Sequence, residues 1–377
     1  MATNKTDKVL NVPTLRFPGC TDEWEILTLG KICDTFEYGM NVPAKEYDGE
    51  NRYIRITDID DCSHLYSLLN EVSPDGNLED KYLVKEGDIL FARTGASVGK
   101  SYIYRSSDGK LYFAGFLIRA HVRCEYNPFF VFYQTLTSKY SKWVNIMSAR
   151  SGQPGINSQE YASYQLSVPP MNEQKKLADF LSLIDERIAL QSKLIDRLKS
   201  LMDGIIDKVT ALTPNISIGE CLDCYSSTLQ ECETEEQGTY PVYGANGVCG
   251  YLDYATISAP AILIVKDGSG VGNVSYANGD CSVVGTLNYL QPKRDVSAKF
   301  LYFVLKRFNF QPYKTGMAIP HIYFKAYSKT RIFCPDYEEQ TRMAASLSRI
   351  EDKIALEERL LCLLQEQKHY LLSAMFI

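Results

Sequence analysis

The chain has 377 residues, 45% of them hydrophobic and 23% charged, with a formal net charge of −6 at pH 7. That length accommodates two domains that each bury a core, and the composition is that of a soluble globular protein, which excludes disordered and fibrous classes. No apolar run approaches the roughly 20 residues that span a bilayer, and the opening MATNKTDKVLNVP lacks the apolar centre of a signal peptide, so we expect a cytoplasmic protein without a membrane partner.

Residues 1–13 read as a flexible leader, after which Phe17-Pro18-Gly19 and Trp24 open the first folded part. Leu29-Gly30-Lys31-Ile32-Cys33-Asp34 recurs as Ile218-Gly219-Glu220-Cys221-Leu222-Asp223, marking the start of a repeated unit. Strands are predicted at 53–56, 89–92, 102–104 and 116–118, where β-branched and aromatic residues are bounded by Gly, Asp or Ser. A helix is predicted over 128–143 from the spacing of Phe129, Phe132, Tyr133 and Leu136, so sheet precedes helix, as in an α+β domain.

The second half repeats this order, with Ile262-Leu263-Ile264-Val265 matching 89–92, Asp267 to Gly272 matching Thr94 to Gly99, and a helix at 300–308. In each copy a short loop separates this helix from a coiled-coil segment, SGQPGIN at 151–157 and TGMAIPH at 315–321.

Each unit ends in a long helix, expected over 172–210 and 337–375. Leu177, Leu181, Ile184, Ile188, Ile195, Leu198, Met202, Ile205, Val209 and Leu212 step by three and four, with Gln191 the polar member. Met343, Leu347, Ile350, Ile354, Leu361, Leu364, Leu371 and Met375 keep the same register, with Glu357 and Lys368 as exceptions. Aligned without a gap, PPMNEQKKLADFLSLIDERIAL at 169–190 meets PDYEEQTRMAASLSRIEDKIAL at 335–356. Prolines end the preceding strands, and Asn172 and Asp336 are the candidate caps, the latter in a capping box with Glu339. The expected architecture is two α+β domains separated by two long helices that form an antiparallel coiled coil, related by a pseudo-two-fold internal repeat.

Charge is unevenly placed. The span 296–335 holds Lys299, Lys306, Arg307, Lys314, Lys325, Lys329 and Arg331 without an acid, and 126–159 contributes Lys139, Lys142 and Arg150. Catalytic patterns are weak. Gly95 to Ser101 resembles a phosphate loop but has one residue too few between its glycines, and the second copy replaces Lys100 with Asn273; a tight turn with glycines at positive φ is the better reading. Asn127-Pro128-Phe129-Phe130 resembles an amino-methyltransferase signature lacking its second proline, and reads as a helix start. Cys221 and Cys224 form a lone CxxC without the further ligands of a zinc site. His64, His121, His321 and His369 are scattered, so neither a metal nor a cofactor is assigned to the chain.

The ordered set F-P-G, L-G-x-I-C-D, S-G-Q-P-G-I-N and P-P-x-x-E-Q before a heptad helix, in two copies, resembles the specificity subunit of type I restriction-modification systems, over essentially the whole chain. The resemblance implies a non-catalytic reader of double-stranded DNA with target-recognition domains at 1–170 and 213–335, a central helix at 171–212 and a C-terminal helix at 336–377. It implies a split DNA target, two modification (methyltransferase) subunits docked on the helices, and restriction (ATP-dependent nuclease and translocase) subunits that complete the complex, with no cofactor in this chain. Donors to phosphates or base edges are expected among Arg93, Lys100, Lys139, Lys142, Arg150, Ser151, Gln153 and Asn157, and in the second copy Lys266, Asn273, Lys306, Arg307, Lys314 and His321. TGMAIPH departs from SGQPGIN, so equal roles for the two loops do not follow. Two alternatives stay open: a recognition module of another restriction-modification arrangement, and a coiled-coil assembly protein that binds non-DNA ligands.

Overall fold

A computed structural model describes residues 11–149 and 153–377; most of the expected leader, together with Arg150, Ser151 and Gly152, lies outside the described residues. Contacts divide the chain into two compact units, residues 1–191 with 360–377 and residues 192–359, so each unit holds one globular part and a portion of each long helix.

In the first unit, Cys33–Tyr38 (β1), Asp88–Ala92 (β2), Ser101–Ile103 (β3) and Leu117–Val122 (β4) form an antiparallel sheet in the order β1-β4-β2-β3. All five residues of β2 are buried, because both of its faces are covered. Ile89 and Phe91 pack with Phe130 and the long helices, whereas Leu90 and Ala92 pack with Ile54, Tyr102 and Phe113. That explains an apolar run without alternation.

The helix expected over 128–143 is two helices, Pro128–Gln134 (α1) and Ser138–Ser148 (α2). The break comes at Thr137, whose side chain caps α2 and whose hydroxyl donates to Gln134 O at 2.8 Å. Asn127 caps α1 by accepting from Phe130 N at 3.0 Å with Pro128 in its first turn, which is the helix-start reading of Asn-Pro-Phe-Phe. A short helix, Ser158–Ser163 (α3), leads into the long helix Met171–Thr210 (α4).

The second unit repeats the topology. Leu222–Ser226 (β5), Ala261–Val265 (β6), Val274–Ala277 (β7) and Leu287–Pro292 (β8) take the order β5-β8-β6-β7, followed by Ala298–Lys306 (α5) and the long helix Tyr337–Met375 (α6). One shared device explains the Glu-Gln of the helix entry. Buried Gln174 accepts from Asn127 N at 2.9 Å and donates to Pro169 O at 2.8 Å, and buried Gln340 accepts from Ser297 N at 2.8 Å and donates to Pro335 O at 2.8 Å. Each glutamine thus stitches the start of a long helix to the cap of the helix before it.

Within the first unit, Leu177, Ala178 and Leu181 of α4 share a core with Leu371, Leu372, Met375 and Phe376 from the end of the chain. Lys368, an exception to the heptad pattern, is held 2.6 Å from Asp185, whose other oxygen accepts from Tyr133 at 2.8 Å. Within the second unit the end of α4 (Ile205, Ile206, Val209) faces the start of α6 (Met343, Leu347), and Lys199 reaches Glu358 at 2.7 Å. The start of one long helix therefore lies beside the end of the other in each unit, so the two run antiparallel. Gln191 and Glu357 are buried, whereas Leu212 is exposed because α4 has ended at Thr210.

Candidate nucleic-acid interface

In each unit a central strand runs out into a glycine turn, and a second loop is clamped onto it. After β2, Gly99 N donates to Ala92 O and Val98 N to Gly95 O; after β6, Gly272 N donates to Val265 O and Val271 N to Gly268 O. Gly95, Gly99, Gly268 and Gly272 all have φ between +79° and +95°, the left-handed conformation that side chains disfavour. This is a tight turn and not a phosphate cradle: Lys100 points inward, donating to Ile59 O at 3.0 Å and pairing with Asp61, with its side chain 11% exposed.

The second loop is held at the same points in both units. Gly95 N donates to Pro154 O at 3.0 Å and Ile156 N to Arg93 O at 2.9 Å; Gly268 N donates to Pro320 O at 2.9 Å and Ile322 N to Lys266 O at 2.9 Å. Pro154 therefore corresponds to Pro320 and Gly155 to His321, so the equivalent of SGQPGIN is shifted two residues C-terminal of TGMAIPH. The gapless alignment of the helices carries the same shift, since Pro169 meets Pro335.

A cation stands at the head of each junction. Arg93 lies over the ring of Tyr38, 4.8 Å from its centroid, beside the exposed Phe116, whose carbonyl accepts from Arg93 N at 3.0 Å. The Tyr38 oxygen accepts from Ser158 N at 3.3 Å and lies 3.3 Å from Ser158 Oγ, and hydrogen bonding from Ser158, aided by Arg93, lowers its pKa. Lys266 is the counterpart, its N–H donating to Thr286 O at 2.9 Å and its ammonium 3.6 Å from Asp267. Around it Met317, Ile319 and Tyr323 are exposed, and the His321 ring meets Tyr323 edge-on at 4.9 Å. Thr286 also lines an open pocket of about 540 Å³ with Thr228, Gln230, Asn246 and Gly285.

The other expected donors divide by partner. Gln153 is exposed on the clamped loop, Lys142 on α2 and Asn273 at the glycine turn, while Lys314 is half-buried. Asn157 caps α3, accepting from Glu160 N at 2.9 Å in a capping box. Lys139 donates to the Ile377 carbonyl at 3.0 Å, and burial lowers its pKa. Lys306 joins Lys299 and Tyr302 on Glu351 of α6 at 3.1, 2.9 and 2.6 Å, and Arg307 holds Asp207 of α4 at 2.9 and 3.0 Å. The acid-free basic segment is thus partly an anchor to acids on the long helices. Arg150 and Ser151 lie outside the described residues. Tyr38, Phe116, Met317, Ile319 and Tyr323 were not named as contact candidates from sequence, because an exposed aromatic or apolar side chain in a strand or loop looks the same in sequence as a core one.

Among the described residues no group of three or more His, Cys, Asp or Glu is placed to hold a metal ion, and no helix is long and apolar enough to cross a membrane.

The fold and its paired junctions define a tandem protein in which one α+β domain with a long terminal helix occurs twice. The chain belongs to the type I restriction modification DNA specificity domain family, whose profile matches residues 21–200 and 218–366. It is 26% identical over 196 residues to the putative type I restriction enzyme MjaX specificity subunit of Methanocaldococcus jannaschii, covering 50% of this chain and 45% of that protein. It is 24% identical over 117 residues to the type I restriction enzyme EcoprrI specificity subunit of Escherichia coli, covering 31% of this chain and 29% of that one. The matches therefore span less than half the length of these curated relatives. Among solved structures, the S subunit of a type I restriction-modification system from M. genitalium matches 97% of this chain over 99% of its own, with a TM-score of 0.70 and 17% identity. A chain from a type I R-M system described for its complex assembly and conformational transition matches 96% of this chain over 97% of its own, with a TM-score of 0.51 and 16% identity. At such identities the likeness is one of fold.

Proposed function

We propose that this chain is the non-catalytic DNA-reading subunit of a type I restriction-modification complex, each copy reading one half of a split target. The observation that carries the reading is the paired junction: the same hydrogen bonds hold a strand-end cation, Arg93 or Lys266, beside a clamped loop in both units. A cation flanked by exposed planar or apolar groups suits contact with phosphates and base edges. Arg93 and Gln153 form the centre of the first site, and Lys266 and His321 that of the second, while Lys142, Arg150, Ser151, Asn273 and Lys314 stay further candidate donors. Lys100, Lys139, Asn157, Lys306 and Arg307 serve the fold through the partners described above.

In this reading residues 1–170 and 213–335 are the recognition domains and 171–212 and 336–377 the helices that carry two modification subunits. In the first unit Leu183, Leu190, Leu363 and Tyr370 are exposed on these helices, and in the second Leu194, Leu201 and Leu356. Apolar side chains left in water on an otherwise charged helix surface suit helical partners. The methyl donor and ATP belong to the modification and restriction subunits, and partners that enclose DNA share phosphate contacts that a chain of net charge −6 supplies sparingly. Co-purification with the modification subunit of its own genome, followed by methylation sequencing with and without the chain, tests this. Loss of a gapped methylation motif supports it; unchanged methylation and no co-purifying methyltransferase overturn it.

A further inference from the structure

The two units differ where the long helices meet the globular part. In the first, an aromatic plug fills the junction: Phe376 stacks on Phe130 with centroids 5.6 Å apart, Trp24 meets Phe130 and Phe376 edge-on at 6.0 and 6.4 Å, and Phe17 meets Phe180 edge-on at 5.7 Å. Two of these rings, Phe17 and Trp24, come from the extended segment 11–24. The segment is tied down by Leu15 N donating to Ala374 O at 2.9 Å and by Arg16, which donates to both oxygens of buried Glu173 at 2.9 and 2.6 Å.

The second unit has counterparts to only some of these groups. The matching helix caps, Asn127 and Ser297, set Phe130 against Phe300. The helix alignment that sets Pro169 against Pro335 puts Ser346 in place of Phe180 and Thr210 in place of Phe376. No arm precedes the second globular part, because the chain that enters it is α4 itself. What remains is an apolar pocket of about 220 Å³ lined by Ile205, Val209, Phe300, Phe303, Met343 and Leu347, with Ser346 and Arg342 at its edge. Glu339, the counterpart of Glu173, has a side chain 40% exposed and pairs at 3.1 Å with Arg342, itself 75% exposed.

We propose that the second unit carries an unfilled socket for an extended segment of a partner protein in which an arginine is followed by an aromatic residue. Glu339 takes the guanidinium, as Glu173 takes Arg16, and the pocket takes the ring. The first unit displays the occupant's chemistry within the same chain, with a bidentate carboxylate pair at Arg16 beside the half-buried ring of Phe17. This goes beyond the DNA reading and does not rest on it.

The test uses the full chain and a fluorescent synthetic peptide of residues 11–19, NVPTLRFPG, titrated by anisotropy to millimolar concentration. Saturable binding is expected. Replacing either the peptide's arginine or its phenylalanine with alanine should weaken it at least tenfold, as should Glu339→Gln in the protein. Ser346→Phe, which restores the ring of the first unit, should block binding at least tenfold while leaving the melting temperature equal or higher. The proposal is overturned by absence of saturable binding. It is equally overturned by full binding to Ser346→Phe, which would mean that the peptide merely exchanges with the arm in the first unit.

Discussion

Arg93 and Lys100 flank one turn and face opposite ways. Arg93 keeps its guanidinium over an exposed tyrosine, whereas Lys100 is committed to the carbonyl of Ile59 and to Asp61. Arg93→Ala should therefore weaken specific binding of the assembled complex by about 1–3 kcal/mol and relax discrimination in one half of the target, with Lys266→Ala acting on the other half. Competition binding against targets altered in one half at a time measures this; loss spread evenly over both halves would count against the assignment. Lys100→Ala should instead lower unfolding stability by about 1–3 kcal/mol through the unsatisfied Ile59 carbonyl and leave DNA affinity unchanged, as denaturation and binding side by side would register. The glycines of this turn are legible in the sequence because a repeated Gly pair at a strand end demands positive φ. The direction of each lysine is not, because its partners lie in distant segments: Asp61 for Lys100, Ile377 for Lys139, Glu351 for Lys306.

At the scale of elements, the helices are the most legible part of the chain, since heptad spacing and a proline stop recur at both sites; Asp336 caps α6 by accepting from Glu339 N at 2.8 Å, whereas the expected cap Asn172 lies inside α4, which starts at Met171 straight after the proline pair. The split of the predicted 128–143 helix is less so, because Thr137 is as acceptable inside a helix as at its cap until the neighbouring packing selects one. The attachment of α5 to α6 centres on Glu351. Burial raises its pKa, but hydrogen bonds from Tyr302, Lys299 and Lys306 outweigh burial and leave it below the ordinary 4.5. A carboxylate whose folded pKa is depressed contributes stability fully present above its unfolded value and lost as pH falls through the folded one. Glu351→Gln should therefore cost about 2 kcal/mol at pH 7, and the gap to the unaltered protein should close as pH drops below 4.5. Melting curves across that range decide it, and a gap independent of pH would remove the ionised Glu351 from the account. The exposed leucines make a separate claim about the same helices. Leu190→Glu with Leu363→Glu in the first unit, both on surface positions, should leave the melting temperature within a few degrees and abolish capture of the modification subunit.

For the whole molecule, the repeat itself is the functional argument. Two domains with the same central-sheet order, the same glutamine stitch and the same clamped loop present different side chains at the junction: Arg93, Tyr38, Phe116 and Gln153 in one, Lys266, His321, Met317, Ile319 and Tyr323 in the other. A shared frame with different side chains at its head is what two independent half-site readers require, since the frame sets position and the side chains set sequence. The pieces should therefore be exchangeable. Replacing residues 213–335 with the matching segment of a relative that has a different target should change one half of the methylated motif and keep the other half and the gap between them. Methylation sequencing of a host carrying the chimaera reads all three at once. A motif altered in both halves would mean that the domains read DNA jointly, and an altered gap would place the spacing in the recognition domains and not in α4 and α6.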